Sequence, residues 1–160
     1  MLMKTIDERT FRKVMGAFAT GVTIMTCRDE TSQPVGMTVN SFTSVSLQPP
    51  LVLWCVNQNI IPTRAFSNTG HFAVHVLHRG QEELSNHFAV DRADKFDGIA
   101  HRKGVGDLPI LEDYLACYQC RVSERIEAGD HFILVGQLVD YDLRDGEPLI
   151  FHAGRYRSLA

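Results

Sequence analysis

Residues 36–56, Gly-Met-Thr-Val-Asn-Ser-Phe-Thr-Ser-Val-Ser-Leu-Gln-Pro-Pro-Leu-Val-Leu-Trp-Cys-Val, set two apolar segments on either side of a hydroxyl-rich bend and a diproline. In extended chain, Met37, Val39 and Ser41 share one face and Thr38, Asn40 and Phe42 the other. The pattern predicts two strands between Val35 and Val56, joined through the bend. Thr38, Asn40, Ser41, Thr43, Ser44 and Ser46 are short, neutral hydrogen-bonding side chains. They suit a polar, planar ligand with an anionic tail, matched without accumulating charge. They equally suit a loop that bonds its own backbone.

Upstream, Thr5-Ile6-Asp7-Glu8 has the form of a capping box with Thr5 as N-cap. Phe11, Val14, Met15 and Phe18 follow at helical spacing, with Gly21 as the stop. This predicts an amphipathic helix that packs on the core or on a partner. A strand over 21–27 and a turn over 29–34 lead into the central pair. Residues 57–70 form a loop with a short helix over 62–68, whose exposed amides and Arg64 favour an anion. Strand 72–77 and helix 81–89 come next, with Leu84 and Phe88 stacked on the helix. Residues 91–106 read as an exposed excursion. A long strand over 114–126, the turn Gly129-Asp130 and a return strand over 131–143 form a hairpin. Asp145-Gly146 turns the chain into a closing strand over 149–156. Short strands separated by turns indicate a mostly β fold, a small antiparallel barrel with a few short helices. The absence of a linker, repeat or low-complexity tract makes residues 1–160 one domain.

Sixteen basic and 19 acidic residues leave a formal charge of −3, which gives no basic field for nucleic acid or anionic lipid. No segment approaches the roughly 20 apolar residues of a membrane span, and the N-terminus lacks an apolar signal core. The cytoplasm is the expected compartment, where four cysteines stay reduced.

Cys117 and Cys120 lie three apart, which on a strand points the thiols to opposite faces and argues against a metal or redox pair. His71 and His75 share a strand face about 13 Å apart, too far to chelate one ion; no metal is expected. Gly104-Val105-Gly106 lacks the third glycine of a dinucleotide fingerprint, and no Gly-x-Ser-x-Gly elbow occurs. Trp54 opposes Leu53 and Cys55 in parity and suits packing or stacking on a ligand.

Thr-x-Asn-Ser-Phe-x-Ser-Val-Ser-Leu-x-Pro-Pro-Leu-Val, residues 38–52, resembles the signature of the short-chain flavin reductases. These FMN-binding split-barrel proteins include the NAD(P)H:flavin reductase partners of two-component monooxygenases. Ala17–Ile24 resembles the family's opening helix and first strand, Gly129-Asp130-His131 its nicotinamide-associated turn, and Phe151–Tyr156 its closing strand. The four pieces run in family order over nearly the whole chain.

The resemblance implies a split barrel that forms a homodimer with flavin sites at the subunit boundary. It places FMN or FAD along Thr38, Val39, Asn40, Ser41, Ser44, Val45 and Ser46, beside Cys55, Val56 and Asn57. The phosphate falls near Thr63, Arg64 and Lys95, with Arg92 in reserve, and His71-Phe72 supplies a further flavin contact. Gly129, Asp130, His131 and Tyr156 would meet NADH or NADPH. Asp130 would fix the turn through its backbone, and His131 would orient the nicotinamide for hydride transfer to the flavin. The implied function is NAD(P)H-dependent flavin reduction, with reduced flavin released to a separate monooxygenase. Rival readings are a non-enzymatic flavin- or haem-binding module, an oxidase of the pyridoxamine-phosphate type, and a reductase passing electrons to iron or a corrinoid.

Overall fold

A computed structural model describes residues 5–159. Its helices are α1 (Glu8–Met15), α2 (Thr63–Asn68) and α3 (Glu82–Ala89). Its strands are β1 (Thr20–Gly21), β2 (Thr23–Arg28), β3 (Pro34–Val39), β4 (Thr43–Leu47), β5 (Pro50–Asn57), β6 (His71–Val76), β7 (His101–Lys103), β8 (Pro109–Leu111), β9 (Ala116–Ala128), β10 (His131–Leu143), β11 (Ile150–His152) and β12 (Arg155–Arg157).

The main sheet is antiparallel in the order β3-β2-β6-β9-β10-β5-β4. Its outer strands, β3 and β4, are consecutive in the chain and joined by Asn40, Ser41 and Phe42 alone. Laid flat, seven strands would hold the outer pair about 29 Å apart, at roughly 4.8 Å per gap. The chain from Val39 to Thr43 reaches about 14 Å at most. The sheet must therefore curl until its two edges approach. They approach without pairing, so the barrel stays split, with the hydroxyl-rich bend across the opening. Residues 35–56 thus form three strands rather than two: β4 and β5 make the hairpin, and β3 belongs to the far edge.

The interior gathers around Trp54, which is fully buried with edge contacts to Phe66 and Phe72 at centroid distances of 4.9 and 6.0 Å. Trp54 is thereby a packing residue and has no face left for a ligand. Gly136 lets β10 cross the Phe72 ring: a Cβ there would sit 2.5 Å from it. The 13-residue strands β9 and β10 carry two register shifts, which bend the hairpin around the barrel. A small sheet, β1-β11-β12, flanks the split.

Several local expectations change. Asp7, not Thr5, caps α1, accepting a hydrogen bond from Thr10 N at 2.9 Å. The helix ends at Gly16 rather than Gly21, which belongs to β1. None of the residues of α1 is buried, and its apolar Phe11, Val14 and Met15 stay more than half exposed in this chain. The 91–106 excursion is partly internal: Lys95 is buried, Phe96 packs on Phe88, and β7 pairs with β8. All four cysteines are free, and burial pushes Cys117 and Cys120 up to about 12. His75 is enclosed with both ring nitrogens spent on backbone, at Ile24 O and Leu111 N. Among the described residues no helix is long and apolar enough to cross a membrane.

Candidate active site

The bend is fastened by its own hydroxyls. Ser41 Oγ accepts from Cys55 N at 3.0 Å and lies 3.3 Å from Cys55 O, clamping the bend onto β5. Thr38 Oγ1 donates to Ser85 O at 2.6 Å, and Thr43 Oγ1 to Ser44 O at 3.4 Å. These three serve the backbone. Asn40, Ser44 and Ser46 make no side-chain hydrogen bond among the described residues and remain available. On β4, Ser44 faces Val52 and Ser46 faces Leu51, so Val45 is a bulge that re-aims the edge.

Under α1 lies a cavity of about 940 Å³ that includes Asn40, Ser41 and Thr43 from the bend. Phe11, Met15 and Phe18 form one wall, and Phe151 of β11 contributes to another. Aromatic walls with a few convergent neutral polar groups fit a planar heteroaromatic ligand. Thr20 also lines the cavity, and its Oγ1 is buried with no hydrogen-bond partner among the described residues. Thr20, Phe18 and Phe151 were not named by sequence reasoning as site residues, although the segments holding them carry the family resemblance.

Arg12 of α1 also lines this cavity, but the cations predicted to meet the phosphate lie elsewhere. Arg64, Arg92 and Lys95 line a separate cavity of about 370 Å³ that does not include Asn40. Arg64, 82% exposed, stands 3.4 Å from Glu30. Arg92 pairs with Asp94 at 2.6 Å. Lys95 is only 3% exposed and donates to Phe88 O at 2.9 Å and Gly36 O at 3.2 Å. Burial lowers its pKa, opposed by the nearby Asp91 charge. Lys95 is first a structural clamp, and Arg64 the accessible cation. Thr63 is buried with its hydroxyl given to Asn57 O.

Other predicted contacts are internal. Val56 and Phe72 are fully buried, so neither side chain reaches a surface ligand. His71 is half-buried, with its ring near Gly106. The Tyr156 hydroxyl is held by Ser85 at 2.7 Å and Asn86 at 3.0 Å, docking the closing hairpin on α3.

Gly129 adopts φ +67, the left-handed conformation the β9–β10 turn requires. Asp130 does not act through its backbone alone. Its Oδ1 lies 2.8 Å from His131 Nδ1, and this bond holds the carboxyl below its usual range. His131 registers against Asn57 on β5, two residues from the Cys55 clamped by Ser41. Two residues of strand span about 7 Å. One strand therefore positions both the bend and the histidine turn.

The flavin reductase-like domain model matches residues 15–160. Over 152 residues the chain is 44% identical to the FMN reductase (NADH) SmoA of Agrobacterium fabrum, covering 94% of this chain and 85% of that protein. It is 38% identical to the flavin-dependent monooxygenase reductase subunit HsaB of Mycobacterium tuberculosis, over 96% of this chain and 83% of that one. A 40% identical relative, the "Probable flavin reductase" of Rhizobium meliloti, is longer: the match covers 89% of this chain and 46% of that protein. Among solved structures, the NADH:FAD oxidoreductase SgcE6 of Streptomyces globisporus, in complex with NAD and FAD fragments, superposes with a TM-score of 0.89. It is 37% identical and covers 99% of this chain and 98% of its own.

Proposed function

The chain belongs to the flavin reductase-like domain family, and from that premise we propose that it is a flavin reductase that takes hydride from NADH and hands reduced flavin to a separate monooxygenase. The observation that carries the reading is the double use of β5. Ser41 is clamped at Cys55 and His131 registers at Asn57, so the polar bend and the histidine turn share one rigid support. FMN or FAD, when bound, supplies the acceptor for the hydride.

The chain's own groups hold and orient. Asn40, Ser44 and Ser46 bind the polar edge of the flavin, and Arg64 binds its phosphate. Phe11, Met15 and Phe18 keep water from the cavity under α1. His131, its ring fixed by Asp130, orients the nicotinamide and takes no proton in the hydride step. The donor assignment is supported by relatives named for NADH. The partner assignment is supported by relatives named as monooxygenase reductase subunits.

Residues 1–160 act as one domain in this reading. A homodimer is supported by the uncovered Phe11, Val14, Met15 and Phe18 and by Leu47, which is 91% exposed. A cytoplasmic location is supported by four unpaired thiols.

Anaerobic mixing with NADH tests the activity. Rapid bleaching of flavin absorbance is expected, whereas a protein that binds flavin without bleaching is a binding module.

A further inference from the structure

Ser85 of α3 is fully buried and bonded at both ends. Its carbonyl accepts from Thr38 Oγ1 at 2.6 Å, near the end of β3 where the Asn40–Phe42 bend begins. Its hydroxyl lies 2.7 Å from the Tyr156 hydroxyl on β12. The phenol gives its one proton to Asn86 Oδ1 at 3.0 Å, so the Ser85 hydroxyl donates to the phenol oxygen. Tyr156 in turn fixes the closing hairpin: it pairs with Phe151 across β11 and β12, and the two rings meet edge to face at 5.5 Å. Phe151 and Gly154 of that hairpin line the cavity under α1 together with Asn40, Ser41 and Phe42 of the bend. At the hairpin tip, Ala153 N donates to Gly16 O at 2.8 Å and so holds the end of α1. The hairpin and β3 belong to different sheets, so no strand ladder sets the distance between them. Ser85 bonds to both.

We propose that Ser85 and Tyr156 are positioning residues of the flavin site: through them α3 sets the spacing between the polar bend and the Phe151 wall. The Tyr156 hydroxyl acts through that spacing rather than by touching the nicotinamide donor. The inference rests on reading the cavity as the flavin site. A planar ring that meets polar groups on one side and an aromatic wall on another is held well only when its supports are fixed to within about 0.5 Å.

Tyr156→Phe removes the phenol oxygen and keeps the ring on Phe151, and Ser85→Ala removes the other partner of the same bond. Each should raise the dissociation constants of FMN and riboflavin alike about threefold to tenfold, the range that one hydrogen bond spans. The double variant should lose no more than the weaker-binding single, because both singles cut one bond. The visible absorbance of bound flavin should shift toward that of free flavin in all three. Titrations well below the melting temperature supply both readouts. Lower melting temperatures with unchanged affinity and spectrum would make the tie structural only and overturn the inference. A loss in Tyr156→Phe that Ser85→Ala does not share would make the phenol a direct ligand contact and overturn it too. Asn40→Ala separates this inference from the reading beneath it. Flavin weakened there but unchanged in Ser85→Ala and Tyr156→Phe removes the positioning role alone. Flavin unchanged in all of them removes the cavity as the flavin site as well.

Discussion

His131 Nδ1 stands 2.8 Å from Asp130 Oδ1, and this pairing decides which ring nitrogen is left for a ligand. With Nδ1–H donated to the carboxylate, Nε2 is the free nitrogen, and the ring's rotation is fixed. Loss of that positioning should be costly, since misplacing reacting atoms by about 1 Å can slow a step a hundredfold. His131→Ala should slow flavin bleaching by NADH and raise the KM for NADH, with flavin affinity retained. Asp130→Asn should lie between, because an amide can still contact Nδ1 but selects the ring's tautomer poorly. Stopped-flow bleaching across NADH concentrations checks both. Wild-type rates and NADH dependence in His131→Ala would leave His131 a surface residue of the turn.

Two serines of similar sequence context should behave differently. Ser46 makes no side-chain hydrogen bond among the described residues, while Ser41 clamps both backbone groups of Cys55. Ser46→Ala and Asn40→Ala should each weaken flavin about threefold to tenfold, the loss of one hydrogen bond worth roughly 0.5–1.5 kcal/mol. Ser41→Ala should lower the melting temperature, because it strips the Cys55 backbone of its partner at the split. Parallel titrations and melts separate the two roles.

Much of the fold was legible because it is local. Apolar segments bounded by turn residues marked β5, β6 and the β9–β10 hairpin, and Gly129-Asp130 marked the turn between those long strands. The split was not legible in the same way. Nothing within residues 34–47 records that β3 and β4 lie at opposite edges, because that depends on the strands inserted between them. The candidate site shows the same division. The polar bend was visible, but the spending of its hydroxyls was not, since Thr38 bonds a carbonyl 47 residues away. Burial likewise removed Phe72, Val56 and most of Lys95 from ligand reach, and pairing with Asp130 gave His131 a role for its neighbour that the turn motif did not specify.

The cations should divide by exposure. Arg64→Ala should weaken FMN more than riboflavin, because only FMN carries the phosphate, and should leave the melting temperature nearly unchanged: its contact with Glu30 is between exposed groups. Lys95→Met should lower the melting temperature, because Gly36 O and Phe88 O lose their donor. Equal losses for FMN and riboflavin in Arg64→Ala would exclude it from the phosphate.

Acid should unfold the protein through His75. The ring is fully buried, with Nδ1 3.1 Å from Ile24 O and Nε2 accepting from Leu111 N at 3.1 Å. This arrangement needs a neutral imidazole with its proton on Nδ1. A second proton on Nε2 would face the Leu111 N–H, donor against donor. Burial, and to a lesser degree the Arg102 charge, push the pKa down from 6.5 to about 4. Above pH 6.5 neither state is protonated at this site, and its stability contribution is complete. Between 6.5 and 4 the unfolded chain takes up a proton that the folded protein refuses, so stability falls by about 1.4 kcal/mol per pH unit. The loss totals roughly 3 kcal/mol and levels off below pH 4, where the folded state is protonated too. His75→Gln, which can also donate and accept, removes the titration. Urea unfolding at pH 7.5 and 4.5 should show wild type losing about 2.5 kcal/mol more than the variant; equal losses would mean that another group governs acid stability.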